Sequence, residues 1–153
     1  MKNIKLIKHT LRSSLALAFV CVATFTAVAA EKIIGGPKGG KLLENEAPRA
    51  EFFVEKDKTV TITFYDAKLK PVPATEQVVT ATAEAKSGKA KLEFEKKGDV
   101  LVSKTKLPDG DGYTIVVQFK AKPDGFLKNF RIAYDSHTCG GCKRAEYACT
   151  CDH

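Results

Sequence analysis

The chain has 153 residues, 28% of them charged and 44% hydrophobic, with no Trp and a formal net charge of +7. This composition describes one folded domain of ordinary size and excludes a disordered chain or a large enzyme. Four of the cations, Lys2, Lys5, Lys8 and Arg12, lie in the first 30 residues beside no acid, so residues 31–153 carry only +3. A balance of +3 sets solubility and is no nucleic-acid footprint, so DNA and RNA are not expected partners. No GxSxG, HExxH, P-loop or GxGxxG pattern occurs, and no enzyme activity is expected.

Residues 1–12 are basic, 15–28 (LALAFVCVATFTAV) are apolar or weakly polar, and 27–30 (AVAA) are small. Basic, apolar, small is the order of a secretory signal peptide, with cleavage after Ala29 or Ala30. An uncleaved anchor would have only residues 13–30, about 18 positions, at the lower limit for a bilayer span. Cys21 makes a poor lipid-attachment site, because the branched Val20 precedes it where a small residue is required. The expected protein is periplasmic or secreted, with no stable membrane insertion once the signal is removed. Its four remaining cysteines then mature in an oxidising compartment.

Residues 31–47 (EKIIGGPKGGKLLENEA) hold four Gly and one Pro with no sustained period, and read as a flexible Gly-rich arm. From residue 48 the pattern changes to alternation. Strands are expected over 50–54, 58–65, 77–85, 89–96, 100–103, 113–120 and 126–134. In the second of these, Val60, Ile62 and Phe64 oppose Thr59, Thr61 and Thr63. Turns are expected at 66–73 (DAKLKPVP), Ser87-Gly88, Gly98-Asp99, 108–112 (PDGDG) and 123–125 (PDG). Seven or eight short runs of period 2 over residues 48–135 predict an all-β fold, a small antiparallel Ig-like β-sandwich or barrel with a Cys-rich C-terminal tail. The Lys, Glu and Thr faces of these strands mix both signs and read as solvated surface. Tyr65, Tyr113 and Tyr134 are expected as core or sheet-edge aromatics. Asp109 and Asp111 begin like a calcium loop, but no closing Glu follows, so a turn is expected.

The order of segments in the body is informative. Gly39-Gly40-Lys41-Leu42-Leu43 opens it, then Glu51-Phe52-Phe53-Val54, Thr61-Ile62-Thr63-Phe64, and 66–73 with its D-x-x-x-K-P-V-P pattern. Gly98-Asp99-Val100-Leu101, Leu107-Pro108-Asp109-Gly110 and Tyr113-Thr114-Ile115-Val116-Val117 follow. Over about residues 39–120 this resembles the small exported β-sandwich domains of heavy-metal handling. Those occur as free periplasmic proteins and as N-terminal domains of heavy-metal efflux adaptor subunits. The resemblance implies the sandwich fold and envelope metal-transport proteins as partners. It supplies no site: where such proteins often open with His-Gly-Gly, this chain has Pro37-Lys38-Gly39-Gly40. Residues 48–135 contain no His, Cys or Met.

The chemistry concentrates in residues 136–153. His137, Cys139, Cys142, Cys149, Cys151 and His153 fall within seventeen positions (HTCGGCKRAEYACTCDH). The CxxC turn with two glycines, the CxC pair and a short 143–148 spacer able to make one or two helical turns can bring four thiolates together. Such a set closes a tetrahedral Zn²⁺ site or holds Cu(I), with His137 and His153 able to replace or supplement the sulfurs. Lys143 and Arg144 lie close enough to favour the thiolate form. Two disulfides are the competing state in an exported protein. Of the three pairings, Cys142–Cys149 with Cys139–Cys151 needs least distortion, and each bridge contributes about 2–3 kcal/mol. A thiol–disulfide redox tail is the third reading, although a thioredoxin-like βαβ pattern is missing. The expected function is therefore non-enzymatic binding of a thiophilic ion for sequestration or delivery in the cell envelope. The alternative is a structural or interaction module whose tail is closed by two disulfides.

Overall fold

The computed structural model describes residues 33–44 and 46–151. The expected signal peptide (1–30) and His153 lie outside them. The described residues form nine strands and one short 3₁₀ turn: β1 (Lys41–Leu42), β2 (Arg49–Val54), β3 (Val60–Tyr65), β4 (Pro71–Val72), β5 (Val78–Ala85), β6 (Gly88–Lys97), β7 (Val100–Ser103), β8 (Tyr113–Lys120), β9 (Lys128–Tyr134) and the turn Glu146–Ala148. Among the described residues no helix is long and apolar enough to cross a membrane.

All pairings are antiparallel, as the alternation predicts, but the connectivity is not that of two separate Ig-like sheets. One hydrogen-bonded path runs β1-β2-β3-β7-β6-β5-β8-β9, with β4 paired to β3 off the path. The long β6 makes this possible. Its first half pairs with β5 (Ala81↔Leu92) and its second half with β7 (Lys96↔Leu101). The sheet therefore curls at β6 into a half-barrel, and the even positions of β2 and β3 face the odd positions of β8. Phe64 and Phe119 meet across the interior with ring centroids 6.1 Å apart. Phe52, Val60, Ile62, Leu92, Ile115, Val117 and Ile132 are fully buried around them. Turn chemistry sets the register. Gly98, with a φ of 61°, closes the tight β6–β7 hairpin between Lys97 and Val100. The β6 surface carries exposed mixed-sign pairs such as Lys91–Glu93 and Lys97–Glu95, in line with a solvated face.

Residues 33–44 are not a free arm, which corrects the flexible segment expected over 31–47. Gly35 bridges Lys41, Gly36 N–H donates to the Gly40 carbonyl at 2.8 Å, and Leu42 and Leu43 are buried. The cause is Glu51. Period 2 puts it on the outer face of β2, where a carboxylate ordinarily meets water. Here the loop wraps it instead: Lys38 N–H (3.0 Å) and Gly40 N–H (2.7 Å) donate to Oε1, and the Tyr65 hydroxyl donates to Oε2 at 2.6 Å. Glu51 is wholly buried. A Cβ on Gly36 would overlap its carboxyl group, and one on Gly40 would overlap the Phe52 carbonyl. Gly36 and Gly40, part of the glycine content that suggested flexibility, are thus demanded by close approach. Thr61 and Thr63, expected on a solvated face, are buried as well, and Thr61 Oγ1 donates to Glu55 at 2.8 Å.

The two ends of the path, β1 and β9, are not paired with each other. Side chains cross this seam: Lys41 Nζ donates to the Arg131 carbonyl at 3.3 Å, and Lys128 pairs with Glu44. The C-terminal segment closes the same side of the molecule.

Candidate metal centre

The centre begins with a hairpin. Thr138 bridges Ala145, Cys139 N–H donates to the Arg144 carbonyl at 2.8 Å, and Lys143 N–H donates to the Cys139 carbonyl at 3.1 Å. Lys143 takes a left-handed φ of 62°, which turns the chain back after Cys142. Of the two glycines in the CxxC, only Gly141 is needed for space. A Cβ there would lie 2.9 Å from Cys151 Sγ, whereas one on Gly140 meets nothing within 4 Å. The spacer over 143–148 forms a single 3₁₀ turn (Glu146–Ala148).

That turn docks the tail on the body. Tyr147 is buried, its ring 6.2 Å edge-on from Phe52 of β2 and 5.8 Å from Tyr134 of β9. It fills the gap between the two ends of the curled sheet. Val54 N–H donates to its hydroxyl at 3.0 Å, and its own N–H donates to the Asp135 carbonyl at 3.0 Å. Arg144 Nη1 donates to the Gly36 carbonyl at 3.0 Å, so the hairpin also rests on the loop that wraps Glu51. Burying an aromatic of this size stabilises the docked tail by about 2–3 kcal/mol.

The docked segment brings the four cysteines together. One sulfur from each of Cys139, Cys142, Cys149 and Cys151 lies within 4.8 Å of all the others. Individual separations are 3.2 Å (Cys139–Cys149), 3.5 Å (Cys142–Cys149) and 3.8 Å (Cys139–Cys151). A metal with Zn–S bonds of about 2.3 Å holds tetrahedral sulfurs about 3.8 Å apart. The four sulfurs already stand near that spacing and could hold a metal ion. None of the four cysteines is in a disulfide, and these separations are well beyond the roughly 2.05 Å of an S–S bond. Cys139 and Cys149 are buried, while Cys142 and Cys151 are half-buried.

Backbone amides prepare the sulfurs for ionisation. The N–H groups of Thr150 and Arg144 donate to Cys142 and hold its thiol down to about 6. Its neighbours cannot all ionise beside it. Cys149 accepts the Cys151 N–H, which favours the thiolate, yet burial and the adjoining thiols outweigh this and push it up to about 12. Cys151 is raised, first by its contact with Cys139. The Cys142 thiolate is easily formed, whereas Cys149 and Cys151 resist until a cation offsets the accumulating charge, so metal uptake here would release protons.

Of the two histidines expected to supplement the sulfurs, His153 lies outside the described residues. His137 is not among the residues brought together with the cysteines. Its Nδ1 sits 2.7 Å from Asp135 Oδ1 and 3.9 Å from Asp111 Oδ2, in a separate exposed group. The physical reason is local: Asp135 Oδ1 also accepts the His137 N–H at 2.9 Å, a turn two residues long that aims the ring back at the carboxylate. Asp135 raises the His137 pKa above the usual 6.5 by hydrogen bonding and charge. Asp111 accepts the Ser136 N–H at 2.7 Å, while Asp109 pairs with Lys58 at 2.8 Å. Tyr65, Tyr113 and Tyr134 are buried, as expected.

Sequence reasoning missed two supporting residues, Tyr147 and Glu51, and it named Arg144 only for its charge near the thiols, not for its contact with Gly36. Tyr147 carried a signal, as the one aromatic between the two cysteine pairs. Glu51 carried none, since only the loop above it makes its position interior. No family model, curated protein or solved structure matches the chain.

Proposed function

We propose that this is an exported, non-enzymatic protein that binds one thiophilic ion, Zn²⁺ or Cu(I), through Cys139, Cys142, Cys149 and Cys151, for sequestration or delivery in the cell envelope. The observation that carries the reading is the clustering of four sulfurs, none in a disulfide, all within 4.8 Å of one another on a docked hairpin. Tetrahedral four-sulfur geometry suits Zn²⁺, and soft thiolates suit Cu(I) equally in kind. The basic–apolar–small leader supports export, and the resemblance of residues 39–120 to heavy-metal-handling domains supports the envelope setting.

The arrangement favours a cluster over two isolated bridges. Cys149 has two sulfur neighbours, at 3.2 Å and 3.5 Å, and the nearer one, Cys139, is not its partner in the least-strained disulfide pairing. The graded exposure supports exchange. Cys139 and Cys149 sit inside, while half-buried Cys142 and Cys151 are open to attack by thiols of an accepting protein.

The test is a native mass spectrum of the mature protein taken from the envelope without chelator or reductant. The reading expects a mass raised by one metal ion, lost in Cys149→Ser with Cys151→Ser. A bare mass four hydrogens below the reduced value would instead establish the two-disulfide interaction module.

A further inference from the structure

Beside the hairpin lies an open groove of about 590 Å³ whose lining is strongly basic. Three stretches far apart in sequence meet there: the loop at Lys38, the end of β2 with Lys56 and Lys58, and the hairpin with Lys143 and Arg144. Phe53 and Tyr147 give it aromatic walls, and none of the four cysteines lines it. The groove is thus distinct from the metal centre.

Two of its five cations are already committed. Lys58 Nζ pairs with Asp109 at 2.8 Å, and Arg144 Nη1 donates to the Gly36 carbonyl. The one acid in the lining, Glu55, accepts from Thr61 Oγ1 at 2.8 Å. Among the described residues no ion pair involves Lys38, Lys56 or Lys143. Lys38 Nζ stands 5.5 Å over the Phe53 ring, at the groove wall. Gathering like charges from three elements is unfavourable unless something negative offsets them.

The backbone adds a second observation. Only three described non-glycine residues take a left-handed φ: Lys58 (68°), Leu69 (59°) and Lys143 (62°). Two of the three are lysines that line this groove. Gly or Asn would suit such positions at about 1–2 kcal/mol less strain. The pair with Asp109 accounts for Lys at 58, but turn chemistry does not explain Lys at 143, whereas a requirement for positive charge at the groove does.

We propose that this groove binds an acidic, extended segment of a partner protein, with carboxylates on Lys38, Lys56 and Lys143 and an intervening apolar side chain against Phe53. An extended segment fits better than a compact anion because the three lysines come from three different elements around an open, aromatic-walled trough. The proposal does not rest on the metal reading.

The test is amide-shift mapping of the ¹⁵N-labelled full mature chain, both zinc-loaded and metal-free, titrated with the peptide acetyl-Glu-Glu-Phe-Glu-Glu-amide. Saturable shifts are expected at Gly39, Val54, Thr138 and Ala145. Affinity should fall about tenfold in Lys56→Gln with Lys143→Asn, Asn being chosen because it tolerates the left-handed backbone. It should be unchanged in Lys89→Gln with Lys91→Gln on β6. Three results would overturn the proposal: no saturation up to about 5 mM peptide, equal losses in the β6 variant, or free citrate binding the same amides as tightly as the peptide. The metal reading is read separately, from whether the zinc-loaded sample forms at all.

Discussion

The backbone N–H of Val54 donates to the Tyr147 hydroxyl at 3.0 Å, joining the end of β2 to a residue 93 positions further along the chain. This contact, with the Tyr147 ring between Phe52 and Tyr134, fixes the cysteine hairpin to the curled sheet. Tyr147→Phe removes the hydroxyl and leaves the Val54 amide without its acceptor, at a cost of about 1–2 kcal/mol. Tyr147→Ala also empties the seam, at about 3–5 kcal/mol. Urea denaturation of the two variants should give this order. Equal stabilities would show that the ring does not plug the sheet.

The two glycines of the CxxC should separate cleanly. Gly141→Ala places a Cβ 2.9 Å from Cys151 Sγ, while Gly140→Ala faces open space. Competition with a chromophoric zinc chelator should show affinity lowered about tenfold or more by Gly141→Ala and little changed by Gly140→Ala. The urea midpoint of the metal-free sheet should be the same in both.

The loop over Glu51 makes a third case. Gly36→Ala would drive a methyl group into a buried carboxylate that three donors hold in place. A loss of about 2 kcal/mol or more is expected in urea denaturation. Gly39→Ala meets no such overlap but must adopt a φ of 102°, so its smaller loss reflects backbone strain alone.

These residues also show how far the sequence reaches. The alternation of Val60, Ile62 and Phe64 marks β3 and its buried face, and Gly98-Asp99 marks the β6–β7 turn, because both signals are local. The curl at β6 is not local: nothing in Gly88–Lys97 announces that one half pairs with β5 and the other with β7. The covered outer face of β2 and β3 was hidden for the same reason, since the covering loop is remote in register. At the metal centre, cysteine identity and spacing were legible from composition. The ring orientation of His137 was not, because it depends on a two-residue hydrogen bond to Asp135.

His137 gives a pH test. Its folded-state pKa is raised, chiefly by the hydrogen bond from its ring to Asp135, so the charged pair contributes stability below the usual 6.5. That contribution fades as pH rises through the raised folded value. Asp135 is depressed by the His137 N–H and ring, so its share is lost again as pH falls through the lowered carboxyl value. An NMR titration of the His137 ring should give a midpoint above 6.5, and Asp135→Asn should bring it down. A midpoint at or below 6.5 in the parent protein would mean that the ring has left Asp135.

The central claim is that the four sulfurs of Cys139, Cys142, Cys149 and Cys151 fill the coordination of one ion. X-ray absorption of the zinc-loaded mature protein measures this directly. The account predicts four sulfur scatterers at about 2.3 Å and no nitrogen or oxygen in the first shell. A shell containing imidazole nitrogen, or a protein that takes up no zinc with its four cysteines reduced, would contradict it.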